Sequence, residues 1–191
     1  LPNHELPLVY VSIVIRAGSI FDPAGKEGLA ELTASVMRTG GAGSLSGDAI
    51  DDRLESFAGI LHLAANRESS SASLSVLRKD LSEGMDLLSR ILMRPSFEEK
   101  KLTVAKNLKI EELRRLRDDP QKLAFREFQR LFFRGDPRGS HPSSSSVQSI
   151  TRNDLIQFHE RYFHPANIMM AMTGDISAAE AKELAAQYFD A

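Results

Sequence analysis

Hydrophobic and polar residues alternate in several short segments of this chain, and a period of two predicts β-strands. Residues 8–16 place a valine or an isoleucine at every second position, which is typical of a half-buried strand. Residues 61–65 and 71–76 repeat the pattern on either side of a polar turn at 66–68, so they predict a hairpin with one polar face. Residues 168–172 predict the last strand.

The segments between these strands carry apolar residues three or four positions apart, which is the period of an amphipathic helix. The glycines of residues 39–43 end the first of these helices. Residues 80–83, 96–99 and 151–154 have the sequence of a capping box, which marks a helix start. The predicted helices cover residues 28–37, 48–57, 80–93, 96–118, 119–133, 151–163 and 177–191.

The order β-α-α-β-β-α-α-α-α-β-α predicts an α+β fold. The first and last strands are separated by the rest of the chain, so a pairing between distant segments has to close the sheet. We expect a small, mainly antiparallel sheet with helices packed on one face. Residues 134–146 are rich in Gly, Pro and Ser and are interpreted as a loop. The last helix has no element after it, so we expect the chain to stop within a larger architecture.

The composition narrows the function classes. The chain has 191 residues, of which 24 are basic and 26 acidic, and this balance argues against a nucleic-acid-binding protein because such domains usually carry a basic excess. The absence of cysteine excludes a disulfide framework, a thiolate metal site and a cysteine nucleophile. No apolar run approaches the roughly 18 residues of a membrane span. The first residue is Leu1 instead of Met, so we expect a processed or incomplete start.

Taken residue by residue, the chain shows no self-sufficient active site. His159 and His164 are five positions apart, whereas two zinc-binding histidines on one helix face are four apart. We therefore interpret His159 as a helix-end histidine favoured by the helix dipole. The serines of residues 143–146 are interpreted as a polar surface loop, and the interleaved lysines, arginines and acidic residues of 98–119 as a solvated helix face.

The stretch AGSIFDPAGKEGLA at residues 17–30 resembles the segment that opens the M16 family of zinc peptidases, which includes insulinase, pitrilysin and mitochondrial processing peptidase. The resemblance implies a LuxS/MPP-like metallohydrolase fold. It also implies that residues 1–191 are a single M16-like N-terminal half-domain, without the second half-domain of the module. Further matching motifs are Arg67-Glu68, Pro95-Ser-Phe97, Asp118-Asp-Pro120 and residues 151–159, 162–167 and 174–177.

In active M16 members an inverted H-x-x-E-H motif supplies two zinc ligands and the general base. The resemblance places Glu31 at the first ligand, Ala34 at the base and Ser35 at the second ligand, while the third ligand falls on Glu112. Zinc catalysis needs three N, O or S ligands, an open position and a nearby base. The resemblance therefore implies no catalytic residue and no metal in this chain. Weak binding of a hard ion by the two glutamates is the alternative.

The resemblance also implies a role for such a domain, because M16 members work as two homologous modules around a chamber. We hypothesise a non-catalytic module that pairs with a zinc-bearing homologous subunit or domain, or self-associates, to cleave peptides, with the zinc in that partner. For the location, the resemblance alone points to the bacterial periplasm, and no targeting segment in the sequence determines it. Two alternatives are a structural core subunit without a peptidase role and an active zinc peptidase with an atypical site.

Active members hold the substrate as an added strand at a sheet edge, through main-chain hydrogen bonds. The resemblance assigns that edge to Leu61, His62 and Leu63.

Overall fold

A computed structural model describes residues 3–189 of the chain. Within this range four strands form one antiparallel sheet in the order β2-β3-β1-β4. The predicted α+β class is confirmed, as is the mainly antiparallel sheet. The strands are β1 (Leu8–Ile15), β2 (Ile60–Ala65), β3 (Ser70–Leu77) and β4 (Ile168–Gly174).

Eight α-helices lie within residues 3–189, and none of them is long and apolar enough to cross a lipid bilayer. They are α1 (Leu29–Thr39), α2 (Gly47–Ser56), α3 (Leu81–Met93), α4 (Glu99–Arg115), α5 (Pro120–Phe132), α6 (Ser144–Ser149), α7 (Arg152–Tyr162) and α8 (Ala178–Phe189).

Strand β1 is central and pairs on both sides. Val11 lies opposite Leu74 of β3 and opposite Met172 of β4, so the expected pairing between distant segments is present. Residues opposite each other in a sheet share a face, and this face is the one the helices cover. The inward-facing Val11 is 1% exposed, whereas Tyr10 and Val14 on the opposite face are 50% and 42% exposed.

The prediction of a loop over residues 134–146 is wrong for its last residues, because α6 begins at Ser144. Ser143 and Ser146 form a reciprocal capping box, with N–H to hydroxyl distances of 3.0 and 2.9 Å. The hydroxyl of Ser146 also donates to the Glu27 carbonyl at 2.9 Å, and Ser146 is buried. The serine run is therefore a helix cap that joins α6 to the loop before α1.

The predicted capping boxes have different outcomes. The box at residues 151–154 is confirmed at the start of α7. Those at 80–83 and 96–99 are wrong. Asp80 makes no side-chain cap bond before α3, and the Ser96 hydroxyl donates to the Gly43 carbonyl at 3.3 Å while α4 begins only at Glu99. The predicted long helix also ends early, at Arg115, where the backbone tightens into a short 3-10 turn.

His159 lies in the last turn of α7, as predicted, but its side chain is buried in the core. Its Nε2–H donates to the Leu92 carbonyl of α3 at 2.7 Å, and its ring stacks on Phe163 with the centroids 5.3 Å apart. Burial lowers the pKa of His159 and so favours the neutral imidazole, although the hydrogen bond to the Leu92 carbonyl acts in the opposite direction. His164 lies beyond the end of α7 and is exposed.

We expect Gly18→Ala to destabilise the fold, because Gly18 touches the turn between β2 and β3. A Cβ there would lie 2.4 Å from the Arg67 carbonyl oxygen, and this turn is fixed by hydrogen bonds from Ser19 and Ile20. The free energy of unfolding in urea should fall by about 2 kcal/mol or more. Gly25→Ala is the comparison, because a Cβ added there would meet no atom within 4 Å, although the φ of 79° is unfavourable for alanine. An equal or larger loss in Gly25→Ala would contradict the packing argument.

Candidate functional site

The carboxylate of Asp22 fixes where α1 begins and so places Glu31 in the first turn. Its two oxygens accept hydrogen bonds from the N–H of Gly28 at 2.8 Å and of Ala30 at 2.9 Å. Gly28 adopts the left-handed conformation, with φ at 104°, which lets the chain turn into the helix. The first N–H groups of a helix lack partners within it, and here Asp22 supplies them from the preceding loop.

Asp22 makes the start of α1 sensitive to pH. Burial raises the pKa of Asp22 from 3.8 to about 7, against the opposing effect of the N–H groups of Gly28 and Ala30. The negative charge of Glu31 adds to the rise. Near neutral pH the carboxyl group that caps α1 is therefore partly protonated and partly ionised.

The positions assigned to the zinc motif lie along the first two turns of α1. Glu31 and Ser35 are four residues apart and share a face, and Ser35 is exposed. Ala34, at the base position, is buried and has no group that accepts a proton. Glu112, at the third position, lies on α4 with an exposed side chain.

An ammonium group joins the two glutamates. Lys109 Nζ lies 2.5 Å from Glu31 Oε2 and 3.1 Å from Glu112 Oε2, so one lysine of α4 contacts a carboxylate of α1 and another on its own helix. Burial alone would lower the pKa of Lys109, but the hydrogen bonds and charges of Glu31 and Glu112 outweigh it and raise the pKa above its ordinary value. The group is therefore a cation between two carboxylates.

The interpretation of residues 98–119 as a solvated face holds for most of their charged side chains, which are exposed, but not for Lys106 and Lys109. The side chain of Lys109 is only 15% exposed. Lys106 is also engaged, because its ammonium donates to the carbonyls of Gln148 at 2.8 Å and Ile150 at 2.7 Å. Both lysines belong to the surface through which α4 contacts its neighbours.

The donor set does not fit a zinc ion. Two carboxylates remain at the assigned positions, and Lys109 occupies the space between them as a donor of hydrogen bonds. Ser35 brings a hydroxyl, which is a poor substitute for imidazole. Within residues 3–189 no group of three or more His, Asp or Glu side chains could hold a metal ion.

The strand assigned to substrate binding lies at one edge of the sheet, since within the described residues β2 pairs with β3 alone. Leu61 is buried, His62 exposed and Leu63 half-buried. Arg38 of α1 donates through Nε to the Leu61 carbonyl at 3.2 Å and contacts Asp51 of α2 at 2.6 Å. The edge strand is thus tied to α1 at the assigned position.

A cavity of about 880 Å³ lies between α4 and α5 and extends to the Lys109 ion pairs. Leu108 and Phe125 contribute apolar walls, while Arg67 and His141 line it from the β2–β3 turn and from the segment before α6. Ligand cavities of proteins have volumes of about 300–1,000 Å³. Sequence reasoning missed this site because its residues come from four separate segments.

Helix α5 carries an apolar stripe on its exposed side. Asp119 caps the helix through the N–H of Lys122 at 3.0 Å, and Pro120 occupies the first turn, as the sequence predicts. No residue of α5 is buried. The stripe comprises Leu123, Phe125, Phe128, Leu131 and Phe132, each between 36% and 69% exposed.

Two family models match the chain. The model described as Insulinase (Peptidase family M16) matches residues 2–144, and the one described as Peptidase M16 inactive domain matches residues 149–191.

Known relatives include both assembly subunits and a non-peptidase. Cytochrome b-c1 complex subunit 1 of Bos taurus mitochondria is 23% identical over 96% of this chain and 38% of its own length. The non-peptidase homolog YmxG of Helicobacter pylori is 24% identical over 91% of this chain and 40% of its own length. The crystal structure of a peptidase M16 inactive domain from Pseudomonas fluorescens superposes with a TM-score of 0.92 at 25% identity, covering 98% of this chain and 46% of that one. The chain therefore spans less than half the length of each.

We expect Lys109→Met to lower the free energy of unfolding in urea by about 1–2 kcal/mol, because it leaves a half-buried carboxylate unpaired. Adding Glu31→Gln to that variant should restore part of the loss. The control is Lys101→Met, since Lys101 pairs with Asp48 at 2.9 Å but that carboxylate is 83% exposed; it should cost less than about 0.5 kcal/mol. Equal losses in the two lysine variants would contradict a special role for Lys109.

We expect Asp22 to make the protein more stable at acidic than at neutral pH. Between its unfolded pKa near 3.8 and its folded pKa of about 7, the native state holds a proton that the unfolded chain has released. This contribution is complete below the lower value and is lost as pH rises through the higher one. Urea unfolding as a function of pH should show the fall in the native protein and not in Asp22→Asn.

Asp119→Asn is the matched control for this pH dependence, because Asp119 also caps a helix but has the opposite shift. The N–H of Lys122 lowers the pKa of Asp119 below 3.8. Its contribution is therefore present at neutral pH and lost on acidification. The same pH slope in the native protein and in Asp22→Asn would refute the role of Asp22.

Proposed function

Because the chain belongs to peptidase family M16, and because an ammonium group lies between its two retained zinc-position glutamates, we propose that it is a non-catalytic module. In this proposal it pairs with a zinc-bearing homologous subunit or domain and completes a chamber in which that partner cleaves peptides. The peptidase activity then belongs to the assembly, and the zinc to the partner.

The Lys109 ammonium is the observation that carries the non-catalytic assignment. A catalytic zinc site needs ligands that donate lone pairs to the metal and a base that accepts a proton from the bound water. Lys109 fills the space between the carboxylates as a hydrogen-bond donor, and Ala34 has no basic atom. The non-peptidase name of the Helicobacter relative and the inactive-domain title of the Pseudomonas structure support the same assignment.

The stripe on α5 supports the pairing. Its phenyl rings form a continuous surface, with the centroids of Phe125 and Phe128 6.5 Å apart and those of Phe128 and Phe132 5.5 Å apart. Contiguous apolar surface that is rimmed by polar residues marks an interaction site in soluble proteins. We assign this surface to the contact with the zinc-bearing homologue.

In the assembly this chain would contribute a wall and a template strand. The edge strand β2, held by Arg38 of α1, would accept a peptide as an additional strand. Such binding uses main-chain hydrogen bonds and places little demand on the peptide's sequence. The chain would thereby orient the substrate without touching the reacting bond.

The relative in the bovine cytochrome b-c1 complex favours a second candidate function, that of a structural core subunit. Both candidate functions require assembly with a partner, and they differ in whether the assembly cleaves peptides. A structural subunit assembles without any gain of peptide cleavage.

To test the first proposal, the full-length protein is mixed with a zinc-motif M16 homologue from the same organism, and cleavage of a quenched-fluorescence peptide is followed. The mixture should cleave at least about tenfold faster than either component, and metal analysis should find the zinc only in the homologue. Replacing the homologue's general base should abolish cleavage. Assembly without cleavage would establish the structural alternative, and stoichiometric zinc in this protein alone would establish an atypical active site.

We expect Phe128→Asp to weaken the association with the zinc-bearing homologue at least about tenfold, because it places a charge at the centre of the stripe. The measurement is the dissociation constant by calorimetry. Val104→Asp is the control, since Val104 is also exposed but lies on α4. Equal weakening by the two substitutions would show that α5 is not the specific contact.

A further inference from the structure

Two arginines in the cavity between α4 and α5 lack an acidic partner. Arg67 Nη2 donates to the amide oxygen of Gln129 at 3.2 Å, and Arg126 Nη2 donates to the Pro142 carbonyl at 2.6 Å. Among residues 3–189 no carboxylate lies within 4.0 Å of either guanidinium. Arg67 Nη1 is also fully buried with no hydrogen-bond acceptor among those residues. Two positive charges therefore stand uncompensated at one side of the cavity.

His141 lies in the positive potential of these two arginines. Burial lowers the pKa of His141, and the charges of Arg126 and Arg67 lower it further. Glu127 acts in the opposite direction, but its carboxylate is paired with Arg130 at 2.7 Å. His141 Nε2 is a second buried atom that has no partner among the described residues.

The other charged groups of the cavity wall, within the described residues, are all paired, and together they carry one net negative charge, because Glu31 and Glu112 share the single cation Lys109. Glu31 and Glu112 share Lys109, Glu111 pairs with Arg115 at 3.2 Å, and Asp119 pairs with Lys122 at 3.1 Å. The cations of this wall without an acidic partner in the described range are thus Arg67 and Arg126. Among those residues, a ligand that enters the cavity meets unpaired positive charge only at these two arginines.

The apolar part of the wall indicates what the anion is attached to. Leu108, Leu113, Leu116 and Phe125 line the same cavity. A free phosphate would leave this surface without a partner, whereas a short peptide would cover it with side chains. The planar fork of a guanidinium also matches a carboxylate with two parallel hydrogen bonds.

We propose that this cavity binds the carboxylate of a peptide, at its C-terminus, through Arg67 and Arg126, with the neutral imidazole of His141 beside them as a further polar group. The peptide's apolar side chains then pack against Leu108, Leu113 and Leu116. The inference names a substrate contact of the chamber wall and rests on the proposed function for the choice of a peptide. The binding itself requires no zinc-bearing homologue.

The test compares two forms of one probe on the unmodified full-length protein, without the homologue. The probe is a fluorescein-labelled hexapeptide of alanine and leucine, made with a free C-terminal carboxylate or with a C-terminal amide. Fluorescence anisotropy should show that the acid binds at least about tenfold more tightly than the amide, as expected for a charge-assisted pair. Equal affinities, or no binding of either form, would overturn the proposal.

Variants assign the preference to particular residues. Arg126→Gln and Arg67→Gln should abolish the difference between acid and amide, and Arg126→Lys should restore part of it. Arg115→Gln is the control, because Arg115 lines the same cavity but is paired and exposed; it should leave the difference unchanged. A preference that survives Arg126→Gln would place the site elsewhere.

Inorganic phosphate separates the two sources of an anion. If phosphate binds in a manner that depends on Arg126 while the acid and amide peptides bind alike, the cavity is a phosphate site and the peptide proposal is wrong. The peptide-binding test measures no cleavage, so its failure would not affect the proposed pairing with the homologue. Failure of the pairing experiment would likewise leave the peptide-binding result unchanged.

Discussion

The pairing of β1 with neighbours on both sides is the constraint on which the rest of the structure depends. It joins the beginning of the described chain to β4 near its end, so the sheet face that the helices cover includes segments from both ends of the described chain. The loop that leaves β1 then meets the β2–β3 turn at Gly18, where main-chain hydrogen bonds fix the backbone of Arg67. The position of a cavity side chain is thus set by the central strand of the sheet.

The contact between α1 and α4 is organised by charge as well as by packing. Glu31 is held in the first turn of α1 by the Asp22 cap, and Lys109 reaches it from the middle of α4. A half-buried ammonium is stable there because two carboxylates face it. The same two helices are therefore joined by an electrostatic link at the positions that the resemblance assigns to the zinc ligands.

The sequence predicts the strands and most of the helices because their periods are local properties of the chain. It misses α6, since a six-residue helix that opens on serines has no apolar period to detect. It misjudges His159 and Lys109 for another reason. Whether a polar side chain is buried depends on what packs over it, and the partners Leu92 and Glu31 lie 67 and 78 positions away in the sequence.

The candidate site also has a part that could be predicted from the sequence and a part that could not. The assignment of Glu31, Ala34, Ser35 and Glu112 to the zinc-motif positions comes from the family resemblance and stays a prediction. The group of Arg67, Arg126 and His141 could not be predicted, because the three residues come from different segments of the chain. Only the structure shows that neither arginine has a carboxylate partner in the described part of the chain.

A lysine that stands between two carboxylates differs from a bound metal in being covalently attached. Zinc is in exchange with its surroundings, so a domain that depends on it varies with the supply of the ion and with competing chelators. Lys109 cannot dissociate, and its local concentration is set by the fold alone. The link between α1 and α4 is therefore independent of zinc supply, including in surroundings where the metal is scarce.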